Sequence, residues 1–69
     1  MAAAIADYSE AIRIDPDNAF AYANRGLARL LEGKLSQAES DFQRCLALKP
    51  ELKPSLERQI NEIKAAKRE

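Results

Sequence analysis

Cys45 is the only cysteine in these 69 residues and histidine is absent, so the usual nucleophile–base pairing and the commonest metal ligand have little to build on. Cys45 lies on an apolar helical stripe, where a free thiol packs as a small hydrophobe. With no second cysteine, no intrachain disulfide is possible. Carboxylates are abundant, but Asp15 and Asp17 fall in a turn, and Glu32 and Glu39 fall on different helices with no base implied beside them. No glycine-rich phosphate loop, metal-ligand cluster or nucleophile–base arrangement is spelled out. The side chains that remain suit recognition rather than reaction, and neither enzyme activity nor a cofactor is expected.

Those side chains need helices to hold them, and four helices fit the periodicity. The first is expected from about Ala2 to Ile14, ending at Asp15-Pro16 because the residue before proline is biased away from helix. Asp17 or Asn18 can cap the second, which continues to about Leu31 and stops near Gly33. The third starts near Leu35, where Ser36 and Glu39 have capping-box spacing, and runs to about Leu48. Pro50 and Pro54 bracket a short connection, and the fourth helix follows from about Pro54 to Lys67. Each linker is short enough to force an antiparallel neighbour. The fold class expected is all-α.

On the third helix Leu35, Ala38, Phe42, Cys45 and Leu46 form an apolar stripe, with Gln37, Glu39, Ser40, Asp41, Gln43 and Arg44 on the wet side. The second helix carries two lines. Tyr22, Gly26 and Leu30 make one, with Gly26 permitting close approach, and Ala38 is expected to lie against it. Phe20, Asn24, Leu27 and Leu31 make the other, which serves either as further core or as an exposed contact face. The fourth helix has only Leu56, Ile60 and Ile63, with Leu52 just before them, so its outer face stays in water.

A fixed offset links distant parts of the chain. Ala4, Asp7, Tyr8, Ala11, Ile12, Ile14 and Pro16 return 34 residues later as Ala38, Asp41, Phe42, Cys45, Leu46, Leu48 and Pro50. Such an echo is the signature of stacked repeats, each burying its apolar face against its neighbours. Within the period, Tyr22, Gly26, Ala38, Phe42 and Pro50 supply the aromatic, small, small, aromatic and closing proline of a tetratricopeptide repeat. Residues 19–52 closely resemble one complete repeat of that family, and residues 1–18 resemble the second half of a preceding one. Residues 53–69 look like the helix that closes such arrays. Arg25 stands where the family usually has leucine and Arg29 where it often has tyrosine, which changes the surface chemistry but leaves the fold intact.

The resemblance implies a noncatalytic protein-interaction scaffold. The first helix of each repeat lines a concave ligand face, so Phe20, Asn24, Leu27 and Leu31 are the expected partner contacts, with Arg58 at the edge. Asn24 matches an asparagine that often bonds a ligand backbone, and Arg58 lies 34 residues after it. Some family members capture C-terminal carboxylates with asparagine, lysine and arginine at such positions. Here Pro54 stands where the key lysine would be, so Arg58 reads better as an ordinary surface arginine.

Charge and composition narrow the partners. Eleven basic residues balance eleven acidic ones, giving no global field to attract nucleic acid or an anionic membrane. The balance is uneven along the chain: residues 1–18 carry a net −3 and residues 53–69 a net +2. Two solvated helix ends account for this, as would a head-to-tail bias between neighbours. The opening residues lack the basic flank and apolar run of a signal peptide or membrane span, and a cytoplasmic, reducing setting is expected. The alternative to a peptide-binding scaffold is self-association. Read as a helix whose repeat partner is missing, the first helix leaves Ile5, Tyr8 and Ile12 short of cover, a stripe through which a homodimer could form.

Overall fold

The computed structural model describes residues 2–67, with side chains placed for residues 4–66; residues 1, 68 and 69 of the expected terminal segments lie outside the described residues. Helix α1 spans Ala2–Ile14, α2 Ala19–Leu31, α3 Leu35–Leu48 and α4 Lys53–Lys67, with a 3-10 turn at Pro50–Leu52 before the last. No strand occurs among the described residues. None of their helices is long and apolar enough to cross a membrane.

Local chemistry sets each boundary. After α1, the Asp17 N–H donates to Asp15 Oδ1 at 3.1 Å, folding the chain through Pro16. Asn18 then caps α2, its Oδ1 accepting from the Ala21 N–H at 3.1 Å, so Asn18 rather than Asp17 satisfies the open end. Helix α2 closes on Gly33, whose φ of +79° is a left-handed conformation that favours glycine. The Gly33 N–H reaches the Leu30 carbonyl at 3.0 Å and the Lys34 N–H reaches that of Arg29 at 2.9 Å. This double closure is a Schellman motif.

The expected capping box does not form. Lys34 is the residue at the N-cap of α3 and makes no side-chain cap, which places Ser36 inside the first turn. The turn through Gly33 feeds α3 directly and leaves no free position for a serine cap. Helix α4 begins one residue before Pro54, putting that proline in the first turn, where its missing N–H costs nothing.

The core is a cluster of Ala19, Leu30, Ala38, Phe42, Cys45 and Leu56, with Tyr22, Leu27, Leu46, Leu52, Ile60 and Ile63 among the partly buried residues packed on it. Helices α2 and α3 form its centre. Gly26 lets them approach: a Cβ there would meet Phe42 Cε1 at 2.5 Å and Asp41 Cβ at 3.1 Å. The atoms nearest Gly26 thus belong to Phe42 and Asp41 rather than to Ala38, although Ala38 is fully buried.

Two positions on α3 differ from the stripe read in the sequence. Leu35, expected in the buried stripe, is 57% exposed at the start of the helix. It borders a cavity of about 260 Å³ with Leu30, Ala38, Glu39, Phe42, Ile60 and Lys64, because α4 stands off from this end of α3. Asp41, expected on the wet side, is buried at 3% exposure.

Candidate functional site

The face shared by α2 and α4 is a shallow groove of about 80 Å³, lined by Phe20, Ala23, Asn24, Leu52, Ser55, Leu56 and Gln59. Its geometry begins at the α2 cap. Once Asn18 fixes the helix start, Ala19 and Ala21 turn into the core and Phe20 turns out, 56% exposed. Asn24, one turn on, is exposed beside it. Leu52 and Leu56 give the opposite wall an apolar base, and Ser55 and Gln59 add polar groups from α4. The arrangement can hold an apolar side chain against Phe20 while amide and hydroxyl groups engage a backbone.

The five expected contact residues separate in space. Phe20 and Asn24 share the groove. Leu27 is half-buried and packs on the core cluster. Leu31 is 46% exposed at the far end of α2, and Arg58 is exposed on α4; neither lines the groove. Ser55 and Gln59 were not foreseen. Their separation of four places them on one face of α4, which was the available signal.

A second constellation ties the helices together. Arg25 donates to Asp41 through both Nε, at 3.0 Å to Oδ2, and Nη2, at 2.7 Å to Oδ1. Arg29 Nη1 donates to the same Oδ2 at 3.0 Å, and Arg25 Nη1 donates to Ser9 Oγ on α1 at 3.2 Å. One carboxylate thus holds two guanidiniums, and Arg25 joins three helices. The bond to Asp41 raises the Arg25 pKa further above its already high ordinary value. The Arg25 and Arg44 guanidiniums also approach the Tyr22 ring, at 5.7 and 5.9 Å from its centroid. The departures at positions 25 and 29 therefore act as internal partners of Asp41. The sequence held two signals for this: the Asp7/Asp41 identity in the repeat, and two arginines four apart on one face.

On α1, Ile5, Tyr8 and Ile12 are half-buried, and none belongs to the core cluster. Burial raises the Cys45 thiol pKa, as expected for a thiol fully enclosed by the core. No group of three or more acidic, histidine or cysteine side chains able to hold a metal occurs among the described residues.

Comparison with known proteins gives the arrangement a family. A model described as TPR repeat matches residues 1–33, and one described as tetratricopeptide repeat matches residues 19–52. Among curated proteins, the mitochondrial import receptor subunit TOM70 of Homo sapiens is 40% identical over 45 residues, covering 65% of this chain and 7% of that protein. The probable UDP-N-acetylglucosamine–peptide N-acetylglucosaminyltransferase SPINDLY is 37% identical over 54 residues in Petunia hybrida and 40% over 50 residues in Arabidopsis thaliana. These alignments cover 78% and 72% of this chain and 6% of either plant protein. No solved structure matches at a comparable level. The chain spans well under a tenth of the length of each of these relatives. With two overlapping family models, a 34-residue echo and an all-α hairpin array agreeing, the chain belongs to the tetratricopeptide repeat family.

Proposed function

We propose that the chain is a noncatalytic protein-interaction module that takes an extended peptide segment in the groove between α2 and α4. The observation that carries this reading is Phe20, a large aromatic 56% exposed at the groove beside the exposed amide of Asn24. Repeats of this family generally mediate protein–protein contact, which fits a groove with an apolar base and a polar rim. Burying Phe20 against a ligand would contribute about 25 cal/mol per Å² of apolar surface removed from water, less the cost of ordering the peptide. Leu31 and Arg58, both exposed, would extend the contact only for a ligand longer than the groove. A cytoplasmic, reducing setting goes with this reading as part of the proposal, and fractionation of the tagged protein tests it.

Peptides selected from a random display library against the parent chain provide the probe. Phe20→Ala should weaken the selected peptides by about 2 kcal/mol, the loss typical of a central aromatic anchor, and Asn24→Ala by a smaller amount, with helicity unchanged. Equal binding by both variants removes the groove from consideration.

A second reading, self-association, has its own support: Ile5, Tyr8 and Ile12 stand half-exposed outside the core cluster. It expects sedimentation of a dimer at high micromolar concentration, with closed two-fold pairing the commonest form. Ile5→Glu with Ile12→Glu should then give a monomer. A parent chain that stays monomeric at millimolar concentration excludes this reading.

A further inference from the structure

Apolar side chains from three helices meet around open space at the Gly33 end of the molecule. Helix α2 ends there, α3 starts there, and the second half of α4 comes back beside them but stands off from α3. The result is a cavity of about 260 Å³ whose walls include Leu30, Leu35, Ala38, Phe42 and Ile60. An apolar cavity of about 150 Å³ already holds benzene, so this one has room for a substituted aromatic ring. Leu35, left exposed at its mouth, would lose water-facing carbon surface to such a guest. The cavity shares no lining residue with the groove at Phe20.

Two opposite charges border that carbon surface. Glu39 on α3 and Lys64 on α4 both line the cavity, both are exposed, and neither makes a hydrogen bond or ion pair among the described residues. We propose that the cavity binds a free α-amino acid with an aromatic side chain. Its ring would lie among Leu35, Phe42 and Ile60, its ammonium on Glu39 and its carboxylate on Lys64. Charge complementarity selects this occupant. An aryl carboxylate would satisfy Lys64 but set a second negative charge beside Glu39, and an aryl amine would do the converse at Lys64. A residue inside a peptide carries neither charge. The zwitterion answers both, with a charge-assisted hydrogen bond at each end. The Phe42 ring favours an aromatic guest through edge-to-face contact. Exposed partners make each polar contact modest, so the expected affinity is millimolar.

The probe is L-phenylalanine, titrated into the isotope-labelled full chain at neutral pH with amide shifts read by NMR. The shifts should saturate and centre on Ala38, Glu39, Phe42, Ile60 and Lys64. Hydrocinnamate, phenethylamine and N-acetylphenylalanine amide lack one charge or both, and each should bind at least about threefold more weakly. Added salt should narrow that gap. Glu39→Gln should abolish the preference for phenylalanine over hydrocinnamate, and Lys64→Gln the preference over phenethylamine, both with helicity unchanged at these exposed positions. The Phe20→Ala chain should bind the amino acid like the parent, so failure here leaves the groove reading standing. Absence of saturation at the solubility limit of the amino acid, equal binding of the uncharged amide, a preference unchanged in either variant, or shifts centred on Phe20 and Ser55 would each overturn the proposal.

Discussion

Among the described residues Asp41 is the charged side chain that the fold takes almost wholly out of water, and two partly buried guanidiniums converge on it. Removing the acid leaves both cations facing each other without a counter-charge, the situation in which a buried pair becomes costly. Asp41→Ala should therefore destabilise by about 2–4 kcal/mol, the lower part reflecting the water access that Arg25 and Arg29 retain. For a chain of this size that is a large share of a total of roughly 3–10 kcal/mol. Urea denaturation measures it, and a variant that melts with the parent would show the network to be dispensable. Cys45 gives a second test at this scale. Burial raises its pKa, so the unfolded thiol ionises first as pH increases, near the ordinary value of about 8.5. Its contribution is complete below that pH and is lost as pH rises through the folded pKa. Stability should decline above about pH 9, and Cys45→Ala should remove part of the decline. An unchanged alkaline slope in that variant would rule out Cys45 as its source.

At the scale of elements, the two glycines act in opposite ways. Gly33 has open space around a Cβ but a φ of +79°, so Gly33→Ala should cost about 1–2 kcal/mol from backbone strain alone. Gly26 lies within regular helix, where alanine would ordinarily help by about 1 kcal/mol. There the new methyl meets the Phe42 ring at 2.5 Å, so Gly26→Ala should instead lose about 1–3 kcal/mol through overpacking. Thermal melts of Gly26→Ala with and without Phe42→Leu separate the causes: the smaller partner should recover part of the loss, and no recovery would mean that the clash is not with the ring. Helix limits were legible in the sequence because Pro16, Asn18, Gly33 and Pro50 act on neighbouring backbone. Asp41 and Leu35 were not. Periodicity assigned a carboxylate to water, while its fate depended on Arg25 and Arg29, sixteen and twelve residues away. Leu35 matched the buried stripe, but the stand-off of α4 left it beside a cavity. Spacing put Phe20 and Asn24 on one line with Leu27 and Leu31, the repeat resemblance gave all four a role, and only the first two line the groove. The arrival of Ser55 and Gln59 depends on how α4 packs, which no local pattern encodes.

Across the whole molecule, burial is graded. The chain measures 37 × 28 × 16 Å, and its buried residues lie on α2 and α3 except for Leu56 on α4. No described residue of α1 is buried. Local opening free energy follows apolar burial, so the inner hairpin and the outer helices should not unfold together. Amides of Ala28–Leu30 and Phe42–Cys45 should exchange only through global unfolding. Those of Tyr8–Ala11 and Ile60–Lys64 should exchange at least about tenfold faster through partial opening. Native-state hydrogen exchange measures this directly, and uniform protection across all four helices would contradict a graded core. The same experiment bears on function. A peptide in the groove bridges Phe20 and Asn24 on α2 to Ser55 and Gln59 on α4, so it must hold α4 closed in order to bind. Saturating groove ligand should therefore slow exchange in α4 while leaving Tyr8–Ala11 nearly unchanged, because linkage stabilises only the conformation that the ligand contacts. If the groove ligand protected every helix equally, binding would be acting through one global transition rather than through the closure of α4 on α2.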